Sequence, residues 1–261
     1  MRIALLLQYD GTGYHGWQIQ LEQVTVQGVL EKALKQMYGC HVGLMGSGRT
    51  DSGVHALGQV AHYDVDQSDV PPEKIWMALN RMLPKDIRIV ASAEVNTDFH
   101  SRFSARERSY QYRINTRQNV LDRNMRWYIR YPVDMSRLET TATHIMGRHD
   151  FSSFCYAGTE TTNMICNVME ASWFKNRDGE LMFQVKADRF LHHMVRMLVG
   201  CMVEVGRGKW QMDEFQRLLL NPDRKAHVIT APAKGLALMQ VAYPPELQPD
   251  WTQAERAMGK A

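Results

Sequence analysis

In Gly46-Ser47-Gly48-Arg49-Thr50-Asp51-Ser52-Gly53-Val54-His55-Ala56, three glycines sit among small polar residues. Arg49 and Asp51 lie one residue apart in the middle. An apolar run, residues 42–45, leads in, and an alternating run, residues 59–63, leads out. Glycine and serine have almost no side chain to bury; they let the backbone turn sharply and let another group come close to it. The stretch therefore reads as a tight loop between two strands, displaying a carboxylate and a guanidinium. Loops of this kind carry function more often than the strands they join. A solvated hairpin turn with an incidental ion pair fits the same residues.

Outward from this loop, the elements follow a regular order. Residues 3–8 are a short apolar run ended by Tyr9-Asp10-Gly11-Thr12-Gly13, a turn cluster, and read as a buried strand. Thr25 can cap a helix with Val29, Leu30, Ala33, Leu34 and Met37 on its inner face. Pro71-Pro72-Glu73 opens a second helix with Ile75, Trp76, Leu79 and Met82 inward, and Pro84 ends it. Ile87, Ile89 and Ala91 alternate as a strand. The order is strand, helix, strand, strand, helix, strand, the ferredoxin-like motif.

A comparable order recurs in topology, without a repeat in sequence. Residues 106–115 alternate, with Tyr110, Tyr112 and Ile114 on one face, and residues 127–131 can pair with them. Residues 134–146 are helical by period, with Gly147 closing them. Residues 164–175 and 180–187 form a hairpin around Asn176-Arg177-Asp178-Gly179. Residues 191–205 and 213–220 read as helices and 236–243 as the last strand. The predicted fold is α+β. It has two ferredoxin-like (RRM-like) halves, 1–105 with the Gly-rich loop and 106–245, and a tail, 246–261. Their mainly antiparallel sheets, joined edge to edge, would leave a central cleft. RNA-recognition modules use such a sheet as a platform for bases.

Composition bounds the partners. Of 261 residues, 44% are hydrophobic and 23% charged, the balance of a water-soluble globular chain. A net charge of +3 permits a nucleic-acid partner without requiring one. Cys40, Cys155, Cys166 and Cys201 form no CxxC pair and read as thiols of a reducing compartment. Met1-Arg2 runs straight into a strand with no cleavage site. Arg196 and Glu204 interrupt the most apolar helix. A cytoplasmic protein with no membrane span is expected.

Four groups could carry chemistry. Asp51 is the leading nucleophile or base, since an ionised, well-held carboxylate can attack an electrophilic carbon. Arginines nearby would favour its charged form. Arg49 adjoins it, and Arg196 stands on an otherwise apolar helix, where an unpaired charge is costly. Arg196 therefore needs a carboxylate partner or a cleft; a plain structural ion pair is the alternative. Tyr110 offers a ring for a base and a hydroxyl for proton transfer, although spacing alone favours a core tyrosine. Residues 99–108, including Arg102 and Phe103, interleave aromatics with arginines, which suits phosphate contact and base stacking as well as a solvated linker. Adjacent His192 and His193, taken as helical, would point about 100° apart, and no ligand spacing supports a metal site. No P-loop or dinucleotide fingerprint follows the first strand.

Gly48-Arg49-Thr50-Asp51-Ser52-Gly53-Val54-His55-Ala56 resembles the active-site signature of the TruA-type tRNA pseudouridine synthases. Tyr9-Asp10-Gly11-Thr12, Gly16-Trp17-Gln18, Phe103-Ser104-Ala105-Arg106, Asp150-Phe151-Ser152-Ser153-Phe154, Phe190-Leu191-His192-His193-Met194-Val195-Arg196 and Lys234-Gly235-Leu236 extend the resemblance in order. It implies a cofactor-independent isomerase, with no metal, that converts uridine to pseudouridine at positions 38–40 of the tRNA anticodon arm. It further implies a homodimer. Asp51 is then similar to the catalytic aspartate and Arg49 to the residue filling the space of the flipped nucleotide. Tyr110 resembles the tyrosine stacked on uracil, Arg196 the arginine pairing with the aspartate, and Leu236 a wall of the uracil pocket. Arg102 and Phe103 fall where the family contacts RNA. Residues 155–163 depart from the family's basic RNA-binding segment. A non-catalytic RNA-binding module, which would not need Asp51, and a metal hydrolase built on the histidines are the competing classes.

Overall fold

A computed structural model describes residues 1–252. The chain has a mixed α/β architecture with mostly antiparallel strand pairing. It divides into two compact units, one from Met1 to Arg106 together with the chain from Leu238 on, the other from Glu107 to Ala237.

The first unit is built on strand β1 (Arg2–Tyr9), whose Ile3, Ala4, Leu5 and Leu7 are wholly buried. A strand with neighbours on both sides and a covered face reads as a near-continuous apolar run. It pairs antiparallel with β3 (His55–Asp64), Leu5 facing Ala61, and with β4 (Ile87–Val95), Leu5 facing Ser92. Helix α1 (Val26–Tyr38) starts at Thr25, whose side chain accepts the Gly28 amide. Its inner face is Val26, Leu30, Ala33 and Leu34, with Lys32 and Lys35 exposed as the period predicts. Helix α2 (Ile75–Asn80) buries Ile75 and Leu79 and ends four residues before Pro84. The Asn80 side chain ends it by bonding both backbone groups of Ile89, at 2.8 Å each.

The strand expected at 42–45 is reduced to β2 (Met45–Gly46). Buried polar side chains of α1 take the backbone groups that a strand would use. The Leu44 amide donates to Glu31 Oε1 (3.1 Å), and Gln27 Nε2 donates to the Leu44 carbonyl (3.0 Å). A strand was expected because period alone cannot show that a helix will satisfy a neighbour's backbone.

The second unit begins with β5 (Glu107–Asn115), which pairs antiparallel with β9 (Leu181–Ala187), while the short β6 (Trp127–Tyr128) lies parallel beside β5. Helix α3 (Met135–His144) is capped by Asp134, which accepts the amides of Ser136 and Arg137. The order then departs from the expected one. Gly147 does end the helix region, with φ +90°, but it also opens an unexpected strand, β7 (Gly147–Asp150), which pairs with β8 (Ile165–Lys175). β8 and β9 form the predicted hairpin, giving the strand order β5-β9-β8-β7. Helix α4 (Met194–Gly206) is buried on most sides, and α5 (Met212–Leu220) buries Phe215, Leu218 and Leu219. The last strand, β10 (Leu236–Ala242), straddles the boundary between units; its residues from Leu238 on belong with β1–β4. In the tail, Asp250 accepts the Thr252 amide, and residues 253–261 lie outside the described residues. No described helix is long and apolar enough to cross a membrane.

One buried histidine gives this fold a measurable pH dependence. His62 on β3 is 5% exposed, accepts the Ser101 amide at Nδ1 (3.2 Å) and packs against Phe99 and His100. Burial, then His100 and Arg2, push its pKa down to about 4. The unfolded chain therefore binds a proton near pH 6.5 that the folded chain refuses until about pH 4. Stability is full above pH 6.5 and falls as pH drops toward 4, by up to roughly 3 kcal/mol at 1.36 kcal/mol per unit. The thermal midpoint of the protein should fall over this window, and His62→Gln should flatten that part of the profile. A pH-independent difference between the two proteins would contradict it.

Candidate active site

The Gly-rich loop is held from below by the end of β1 and the turn that follows it. The Trp17 amide donates to the Thr50 carbonyl (3.0 Å). The Tyr14 carbonyl accepts the Gly53 amide (3.3 Å) and Ser52 Oγ (3.2 Å). Within the loop, the Val54 amide donates to the Asp51 carbonyl (3.1 Å), and Gly53 takes φ +78°. Gly11 and Gly16 let the two segments touch. A Cβ on Gly11 would lie 2.0 Å from the Val54 carbonyl oxygen, and one on Gly16 would lie 2.6 Å from that of Thr50. The Gly11 amide donates to Nδ1 of buried His55 (3.1 Å).

These contacts fix how the loop presents its side chains. Thr50 is buried, Asp51 half-buried and Arg49 exposed. Arg49 Nε donates to Gln18 Oε1 (3.1 Å), so the guanidinium stands at the surface beside Gln18. Asp51 carries a carboxylate on a backbone braced on both sides. Arg102 and Phe103 lie elsewhere in this unit, after β4. Phe103 is 76% exposed, the Arg102 guanidinium lies 5.5 Å from its ring centre, and His100 packs on the ring at 4.4 Å. An exposed aromatic beside an arginine is suited to a base and a phosphate.

The other site residues expected from the sequence are in the second unit. Tyr110 on β5 is half-buried, its ring edge-on to Phe190 at 5.1 Å. The core tyrosine of the Tyr-x-Tyr pattern is Tyr112, which is wholly buried and donates to the Pro232 carbonyl (2.7 Å). Arg196 lies in the first turn of α4. Its Nε donates to the Ala231 carbonyl (2.9 Å), and its own carbonyl accepts the Ala231 amide (3.0 Å). The segment leading to buried Leu236 is thus laced to α4 at Ala231 and to β5 at Pro232. Tyr110, Arg196 and Leu236 stand on three elements tied together by one strap. His192 and His193 precede α4 instead of lying on it. His193 is its N-terminal flanking residue with φ +65°, and both rings pack against Tyr156. The 100° separation expected for helical neighbours therefore does not apply.

Tyr9, Gly11, Trp17 and His55, which fall in the stretches quoted for the resemblance, and Gln59 position the loop, and the sequence assigned none of them that role. Gln59 is a polar residue with no exposed surface in the middle of a strand. Only burial gives it meaning, because alternation assigns it to a face without saying what covers that face.

Comparison with known proteins places these features. The family model described as tRNA pseudouridine synthase matches residues 6–104 and 141–244. These ranges include the Gly-rich loop, Arg102, Phe103, Arg196 and Leu236, and leave Tyr110 outside. The chain is 41% identical over 243 residues to tRNA pseudouridine synthase A of Thermoanaerobacter sp. (strain X514), covering 92% of this chain and 99% of that protein. It is 40% identical to tRNA pseudouridine synthase A of Exiguobacterium sibiricum over 93% and 97% of the two chains. For the protein of that name from Bacteroides fragilis the identity is 38%, over 94% and 98%. The protein is a nucleic-acid-modifying enzyme, an isomerase acting on tRNA. The chain belongs to the tRNA pseudouridine synthase family, whose reaction turns uridine into pseudouridine.

Proposed function

We propose that the enzyme isomerises uridines 38–40 of the tRNA anticodon arm, with Asp51 as nucleophile and Arg49 entering the stack as the target nucleotide flips out. The observation that carries this reading is the braced loop, which holds a half-buried carboxylate two residues from an exposed guanidinium. The isomerisation breaks the bond from N1 to the ribose C1′, turns the ring and joins C5 to C1′. The C5 proton leaves and N1 gains one, so no net oxidation occurs. Attack by Asp51 at C6 or at C1′, or its help in forming a glycal, would each serve. Tyr110 would stack on the uracil and Leu236 would wall its pocket. Arg196 would keep Asp51 ionised, and Arg102 and Phe103 would contact the RNA. The segments 1–105 and 106–245 would each supply part of this constellation. The active form would be a cytoplasmic homodimer needing no cofactor.

Flipping a nucleotide costs a few kcal/mol, part of which a side chain filling the gap offsets. The test uses tRNA carrying tritium at uridine C5, with chelator present. Tritium release is expected, and it should vanish when positions 38–40 hold no uridine. Arg49→Ala should bind tRNA about as tightly and release tritium about a hundredfold more slowly in single turnover. An unchanged single-turnover rate would count against flipping by Arg49.

A further inference from the structure

We infer that Tyr9, Thr50 and Gln59 are positioning residues for the isomerisation, forming a buried hydrogen-bonded clamp that sets the aim of Arg49 and Asp51. This rests on the roles proposed above for those two residues. Gln59 on β3 has no exposed surface, and Tyr9 at the end of β1 is 4% exposed. The Gln59 amide uses both ends. Its Oε1 accepts Ser47 Oγ (2.6 Å) and the Val60 amide (3.2 Å), while Nε2 donates to the Gly48 carbonyl (3.0 Å) and makes a longer contact to Tyr9 Oη (3.5 Å). Tyr9 Oη in turn meets Thr50 Oγ1 at 2.8 Å.

The clamp therefore grips the loop at Ser47, Gly48 and Thr50, the residues on either side of Arg49 and directly before Asp51. Burial pushes the Tyr9 phenol up to about 12, so its proton stays in place. With the Gln59 amide donating toward the phenol oxygen, that proton is available to Thr50. Buried networks satisfied at every member rigidify what they hold. The sheet strands β1 and β3 supply the clamp, so the loop inherits their stiffness. Ring packing does not by itself require the hydroxyl of Tyr9 or of Thr50, which is what makes the clamp testable. Tyr9→Phe keeps the ring and Thr50→Val keeps the shape. Both lose the bond between Tyr9 and Thr50, and Tyr9→Phe also loses the longer contact from Gln59.

The experiment measures single-turnover tritium release at saturating enzyme, tRNA dissociation constant and thermal midpoint for each variant. Tyr9→Phe and Thr50→Val should each slow release about tenfold, with tRNA affinity unchanged, because displacing a reacting group by an ångström or less is enough to cost that much. The double variant should be no slower than the slower single one, since both remove the same bond. Thr50→Ser restores the hydroxyl and should recover most of the rate. Gln59→Leu should be slower still, about a hundredfold, because it removes the acceptor of Ser47 Oγ and the donor to the Gly48 carbonyl together. A lowered thermal midpoint with an unchanged rate for the folded enzyme overturns the proposal, as does multiplicative loss in the double variant. Full rates for Tyr9→Phe and Thr50→Val beside an inactive Asp51→Asn overturn the clamp and leave the nucleophile standing. Full activity in Asp51→Asn would remove both.

Discussion

Asp51→Asn is expected to slow single-turnover pseudouridine formation by at least about a thousandfold while leaving tRNA binding within a few-fold of normal. The amide is close in size to the carboxylate but carries no charge and is a poor nucleophile. A thousandfold loss corresponds to about 4 kcal/mol of barrier at 1.36 kcal/mol per tenfold. The fold of the loop should survive, because its braces run through neighbouring residues. Thr50 is held through its carbonyl by Trp17, and Gly53 through its amide by Tyr14. Gln59 holds Gly48. RNA contact proposed for Arg102 and Phe103 lies on a separate segment. Affinity should therefore be preserved, and its salt dependence should match that of the unaltered enzyme, since the same phosphates are met. A rate within tenfold of normal would remove Asp51 from the chemistry and favour an RNA-binding protein with its catalytic group elsewhere. Loss of rate and affinity together would instead place Asp51 in binding.

The second large effect separates two glycines of one turn. Gly11→Ala puts a methyl 2.0 Å from the Val54 carbonyl oxygen and 2.7 Å from its carbon. Both are backbone atoms, so neither can swing aside, and the Asp51 loop must move or the end of β1 must. Overpacking of this kind costs about 1–3 kcal/mol of stability. Movement of the loop by about an ångström costs about a hundredfold in rate. Gly13→Ala, two residues on, meets nothing within 4 Å and should be neutral in both measurements. Thermal midpoints and single-turnover rates of the two variants check this. Equal behaviour would mean that the turn yields easily and does not brace the loop.

The site was legible in part. Asp51 and Arg49 could be picked out as candidates because small residues around two charges mark a tight loop that displays them, although a solvated turn fits the same residues. Arg196 stood out as a charge on an apolar helix, and the structure gives its Nε a backbone carbonyl at Ala231, 35 residues along the chain. Tyr110 and Tyr112 share a face by alternation, yet the half-buried ring and the core ring could not be told apart. That difference comes from Pro232, whose carbonyl Tyr112 meets, and from the strap that carries it. β7 was missed because its Gly147-Arg148-His149-Asp150 is polar and follows a helix terminator. It becomes a strand only through pairing with β8.

The sequence by itself determined the elements with a strong period, the cap at Thr25, the Asn176–Gly179 turn and the loop that bears Asp51. These depend on neighbours a few residues away, and local sterics and hydrogen bonding decide them. Only the tertiary structure decided that Gln27 and Glu31 would replace a strand at 42–44, that Gly11 and Gly16 would lie against the Asp51 loop, and that Gln59 and Tyr9 would grip it. Each is a contact between segments distant in sequence, between groups whose partners no periodicity records. The aim of the Asp51 loop depends on those contacts, although its residues can be read without them.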